Sequence, residues 1–197
     1  MTAGRTKSLI LVLGGARGGK SSFAQALAAS MGERVTFLAT AEAGDEEMCA
    51  RIEQHRASRP GHWTTMEVPS TVGNAIRAAG QHSDTILLDC LALLVSNLLL
   101  AAGDNCNEAA TRVDREIADL LAAHSAGTSN LIIVTNEVGQ GVVPAYPLGR
   151  IYRDLLGRAN AQLARAADRV YLMVAGLALE IKASGLAAAW EPDDVTT

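Results

Sequence analysis

The sequence predicts an α/β domain built on a mainly parallel sheet with helices on both faces. Three observations predict it. Short apolar runs rich in β-formers alternate with helical stretches, the order expected of successive β-α-β units. The first such run passes directly into a glycine-rich stretch and then a helix, "VLGGARGGKSS" at 12–22. The length and balance, 197 residues with 49% apolar and 19% charged, suit one domain with a substantial core. The chain is therefore read as a single domain over 1–197, with flexible ends at about 1–7 and 184–197. It carries no internal repeat, low-complexity tract or linker.

The elements follow in order. "SLILVL" is a buried strand and "KSSFAQALAASM" the helix after it. "VTFLAT" is a second strand, "DEEMCARIEQHRAS" a second helix, and "WTTMEV" a short strand. "TVGNAIRAAGQ" reads as helix and "DTILLD" as a strong strand. Helical segments at about 90–102 and 107–124 precede the strand "NLIIVTN". A long helix near 147–167 and the strand "RVYLMVA" complete the pattern. In open sheets of this kind ligands bind at the carboxyl ends of the strands. Gly14, Thr40, Asp89 and Asn136 stand at such ends, so polar chemistry there weighs more than elsewhere.

A net charge of −4 gives no reason to expect a nucleic-acid partner. Cys49, Cys90 and Cys106 form no C-x-x-C pair, and an odd, scattered set suits a reducing cytoplasm. The longest apolar run, "TILLDCLALLVSNLLLAAG", approaches the length of a membrane span but contains Asp89 and Asn97. A carboxylate there is costly in a bilayer, so a strand followed by a helix is the reading adopted.

Gly14, Gly15, Ala16, Arg17, Gly18, Gly19, Lys20 and Ser21 fit G-x-x-x-x-G-K-[ST], the P-loop pattern. Glycines let backbone N–H groups approach phosphate oxygens, and the following helix offers its positive end. Lys20 adds a charge and Ser21 can ligate magnesium. Arg17 is either a phosphate contact or a solvated tip residue. Asp89 suits magnesium as well, or alternatively caps the helix that follows.

Arg51, His55 and Arg59 recur every four residues in "DEEMCARIEQHRASRP", with Arg56 beside them. Guanidiniums around an imidazole suit an anionic ligand, and they favour the neutral, nucleophilic ring. From spacing alone a solvated basic face is the plainer reading. His62, His82 and His124 lack such a setting and read as structural or solvated. Glu67 matches the two donors of guanine's Watson–Crick edge, though by itself it reads first as an exposed strand acid. Glu137, in "TNEVGQGVVP", could touch magnesium or substrate or simply hold its loop.

The segments "GGARGGKS", "FLATAEAGDEEMCARIEQHRASRPGHWTTMEVP", "ILLDCLALLVSNLL", "IVTNEVGQGVVP" and "GRANAQLARAADRVYLMVAGLALEIK" together resemble the bifunctional adenosylcobinamide kinase/adenosylcobinamide-phosphate guanylyltransferases of cobalamin biosynthesis, from Leu9 to Lys182. The resemblance implies a RecA-like P-loop fold, a homotrimer and two activities. ATP or GTP phosphorylates the aminopropanol hydroxyl of adenosylcobinamide. GMP from GTP is then passed to the new phosphate through a guanylylated histidine, which matches His55. The resemblance also implies GTP contacts at Gly14–Lys20, at Ala39, Thr40 and Ala41, at Arg56, Ala57, Ser58 and Arg59, and at Glu67 and Asp89. Two positions depart from some relatives. Gln54 stands where they carry a second histidine, which argues against a two-histidine relay. Asp89 stands where they carry glutamate. The competing readings are a single-activity P-loop small-molecule kinase and a nucleotide-switched ATPase or interaction module.

Overall fold

The structure is a computed structural model that describes residues 7–41, 59–103 and 105–184. The helix expected at 45–58 lies outside the described residues.

Six strands run parallel: β1 (Leu9–Gly14), β2 (Val35–Ala39), β3 (Thr64–Glu67), β4 (Thr85–Asp89), β5 (Asn130–Val134) and β6 (Arg169–Val174). A seventh, β7 (Leu177–Glu180), pairs antiparallel with β6. The order across the sheet is β3-β2-β4-β5-β1-β6-β7. β5 thus separates the glycine-loop strand β1 from β4, which carries Asp89, as in RecA-like sheets. The register of β2, β4 and β5 aligns Ala39, Asp89 and Val134 in one row, so these strands finish at one edge.

The central strands are apolar at nearly every position because both faces are covered. Ile10, Val12, Phe37, Leu87, Ile132 and Val134 pack with Ala24 and Ala28 of α1 (Lys20–Met31) on one face. Leu9, Leu11, Leu38, Ile86, Leu88, Leu131 and Ile133 face the other way. There they meet α2 (Val72–Ala79), α3 (Leu91–Ala101), α4 (Cys106–Ala126) and α5 (Pro147–Ala166).

Local chemistry sets the ends of these helices. The Asn105 side chain accepts the Glu108 N–H at 3.0 Å and so caps α4. Pro147 opens α5, where its missing N–H costs nothing. β7 was not expected from the sequence. Its four residues are mostly exposed, so they carry no alternating pattern. It is joined to β6 by Ala175 and Gly176, both at positive φ (51° and 83°), which gives the twist a two-residue hairpin needs.

Candidate active site at the carboxyl edge of the sheet

The expected loop joins β1 to α1 at the carboxyl edge. Gly14 has φ 152°, and a Cβ there would lie 2.5 Å from the Met173 carbonyl oxygen of the adjacent strand. Glycine is required because the loop leaves the sheet hard against β6. Gly19, at φ 86°, precedes the first residue of α1. Arg17 also has positive φ (56°), at the exposed tip that passes through Gly15, Ala16 and Gly18. The Gly18 N–H donates to the Gly15 carbonyl at 3.2 Å and closes the turn.

Lys20 is buried at 8% exposure, and its Nζ donates to the same Gly15 carbonyl at 2.8 Å. Burial pulls its pKa below that of an ordinary lysine, opposed by Cys90 and Asp89. Burial, followed by the Asp89 charge, pushes the Cys90 thiol up to about 12. Ser21 follows in the first turn of α1, half-buried.

Next along the edge, Thr40 ties β2 to β4. Its hydroxyl donates to the Cys90 carbonyl (2.7 Å) and accepts the Cys90 N–H (2.9 Å). Asn97 of α3 donates to the carbonyls of Thr40 (2.9 Å) and Pro69 (3.1 Å), fixing the ends of both β2 and β3. Asn97 thus holds the edge from below, a role that sequence reading did not see. Ala39 and Ala41 flank Thr40. Asp89 closes β4, half-buried. The reading of Asp89 as a helix cap is corrected: α3 begins at Leu91 and Cys90 occupies the N-cap position.

Glu67 ends β3, exposed, with Ala39 as its register partner. Four strand spacings separate it from β1, about 19 Å at the usual interval. Nearby, the Arg59 guanidinium stacks 3.5 Å from the centroid of Phe37, with Nη1 3.4 Å from the Thr65 hydroxyl. A planar cation on an aromatic face is a favourable pairing. On the other side of the edge, the Glu137 N–H donates to the Gly14 carbonyl at 3.0 Å, while Glu137 Oε1 accepts the Gly139 N–H at 2.6 Å. Glu137 thus braces its own loop.

Arg51, His55, Arg56, Ala57 and Ser58 lie outside the described residues. His62 and His82 are exposed, and His124 is half-buried at the last turn of α4.

The structure thus brings together loop glycines, a buried ammonium, a hydroxyl and a carboxylate at the carboxyl edge. Fold and loop define the class as a P-loop nucleotide-binding protein.

Comparison with known proteins narrows the class. The family described as "Cobinamide kinase / cobinamide phosphate guanyltransferase" matches residues 10–181. The "Bifunctional adenosylcobalamin biosynthesis protein CobU" of Salmonella typhimurium is 42% identical over 181 residues, covering 88% of this chain and 99% of that one. Its Escherichia coli counterpart of the same name is 41% identical over the same shares. The "Bifunctional adenosylcobalamin biosynthesis protein CobP" of Pseudomonas aeruginosa is 42% identical over 176 residues, covering 89% of this chain and 98% of that one. The chain belongs to the cobinamide kinase/cobinamide phosphate guanylyltransferase family. Among the described residues no helix is long and apolar enough to cross a membrane.

Proposed function

We propose that this chain carries out both reactions of its family, with the phosphate chemistry at Gly14–Ser21 and the guanylyl chemistry at His55. ATP or GTP binds with its phosphates on the loop. Lys20 and the loop amides stabilise the charge that develops on those phosphates. The hydroxyl of adenosylcobinamide attacks the γ-phosphorus, the bond from the γ-phosphorus to the β–γ bridging oxygen breaks, the nucleoside diphosphate leaves and the hydroxyl proton passes to solvent. For the second reaction, the His55 imidazole attacks the α-phosphorus of GTP. The bond to the bridging oxygen breaks and pyrophosphate leaves. The phosphate of adenosylcobinamide phosphate then attacks the same phosphorus, the N–P bond breaks, and adenosylcobinamide-GDP is released. Arg51, Arg56, Ala57, Ser58 and Arg59 bind the nucleotide beside His55. Ala39, Thr40 and Ala41 flank it, and Glu67 reads guanine.

Ser21 and Asp89 present only oxygen donors. That fits magnesium, which takes one or two protein oxygens and completes its shell with water and phosphate. Ser21 and Asp89 would hold it, and it would supply positive charge to the phosphate oxygens. The working form is a homotrimer in the cytoplasm, acting on adenosylcobinamide and its phosphate.

The observation that carries this reading is a P-loop seated at the carboxyl edge of a chain that matches the family along most of its length. Incubation with α-labelled GTP tests it. The expected result is an acid-labile, protein-bound label that maps to His55. Transfer of γ-label to cobinamide with no protein-bound α-label would favour a single-activity kinase. Nucleotide binding with neither transfer would favour a switch.

A further inference from the structure

Helix α5 packs beneath the sheet through an apolar stripe that includes Leu155, Leu156, Ala159 and Leu163. Asn160 interrupts that stripe and is buried at 7% exposure. A buried amide is costly unless its donors and acceptor are used. Here both ends are used. Oδ1 accepts the Thr135 hydroxyl at 2.8 Å, and Nδ2 donates to the Asn136 carbonyl at 3.0 Å. Thr135 is fully buried, and its N–H donates to the Val12 carbonyl of β1 at 2.9 Å. Two residues on, the Glu137 N–H donates to the Gly14 carbonyl.

A continuous series of bonds therefore runs from α5, through the segment that leaves β5, to the first residue of the phosphate loop. A leucine at 160 would suit the apolar stripe but would strand the Thr135 hydroxyl and the Asn136 carbonyl. Only a side chain with one acceptor and one donor side by side satisfies both. The same helix fixes the far end of this segment, where Arg150 Nη1 donates to the carbonyls of Pro144 (3.0 Å) and Ala145 (2.8 Å).

We propose that Asn160 is a positioning residue for phosphoryl transfer. By holding Thr135 and Asn136 it keeps the Glu137 N–H on the Gly14 carbonyl, and so keeps the loop in its catalytic orientation. Asn160 touches no substrate and acts through Gly14. The proposal rests on the reading of Gly14–Ser21 as the phosphate site.

Kinase kinetics with γ-labelled ATP and cobinamide test it, with each variant assayed well below its melting temperature. Asn160→Asp keeps the acceptor but sets a carboxylate against the Asn136 carbonyl. Thr135→Val keeps the shape and removes the hydroxyl, and Thr135→Ser keeps the hydroxyl. Asn160→Asp and Thr135→Val are expected to lower kcat about tenfold, the scale of a small misplacement at a reacting centre. The KM for ATP should stay within about threefold and Thr135→Ser within about twofold of the parent. Wild-type kcat in folded Thr135→Val, or an equal loss in Thr135→Ser, overturns the proposal. If Asn160→Asp does not fold, the valine and serine pair decides. Lys20→Ala in the same assay checks the underlying reading separately: if it is as active as the parent, the loop is not the phosphate site.

Discussion

The carboxyl edge of the sheet has two ends, and they are built differently. At the β1 end the site is made largely of backbone. Gly14 is pressed against the Met173 carbonyl, Gly18 closes on the Gly15 carbonyl, and Lys20 is folded down onto that Gly15 carbonyl. At the β3 end the candidate groups are side chains. Glu67 is exposed at a strand terminus, and Arg59 is laid over Phe37. A backbone cradle accepts any triphosphate, because every nucleotide presents the same phosphates. Discrimination between bases needs side chains of particular hydrogen-bonding character. In the proposed function, the two ends divide general phosphate binding from the recognition that guanylyl transfer requires. Asp89 and Thr40 lie between them, and Asn97 secures the middle from below.

The largest expected effect comes from breaking the shared end. Lys20→Ala should reduce both activities, with a loss of about 3–4 kcal/mol in transition-state stabilisation, typical of a preorganised group on a charged transition state. Measuring γ-label and α-label transfer side by side checks it, and a folded variant that retains either activity at full rate breaks the idea of one cradle for both. Gly14→Ala should come next. Its Cβ would collide with backbone in β6, and the residue would be held at an unfavourable φ. A stability loss of about 2–3 kcal/mol is expected in denaturant unfolding, with both activities reduced. An unchanged midpoint would show that the loop can leave β6 freely.

The smallest effect should appear at the other end. Glu67→Gln replaces a carboxylate that accepts twice with an amide that accepts once. Discrimination between GTP and ITP, which lacks the 2-amino group, should fall about tenfold, or about 1.4 kcal/mol. Binding of ATP should barely change. Equal discrimination in parent and variant would remove Glu67 from base recognition and sharpen the comparison toward Arg59 and its neighbours.

The β1 end was legible in the sequence because its signal is local. Eight adjacent residues, a strand before them and a helix after them carry the whole motif. The central strands β1, β2, β4 and β5 were legible for a related reason: burial on both faces makes them continuous apolar runs. The ties that shape the edge were not legible. Thr40 meets Cys90 at a separation of 50 residues, Asn97 reaches Thr40 across 57, and Thr135 meets Asn160 across 25. Such pairings appear only when the topology brings the elements together. The alternative reading of Asp89 as a helix cap misses by one residue, because the helix begins after Cys90. β7 escaped notice because it is a short edge strand with mostly exposed side chains, and nothing in its composition separates it from a loop. For Glu137 the sequence left three roles open, and its bond to Gly139 shows that it braces its own loop.

The central proposal is that one chain carries two separable chemistries that share one phosphate loop. His55→Ala tests it most directly, with α-label and γ-label from nucleotide followed in parallel on the folded variant. The account predicts that the protein-bound GMP and the formation of adenosylcobinamide-GDP are lost, while γ-phosphoryl transfer to cobinamide persists at a measurable rate. A protein-bound GMP at the parent level, or the loss of both transfers together, would contradict it.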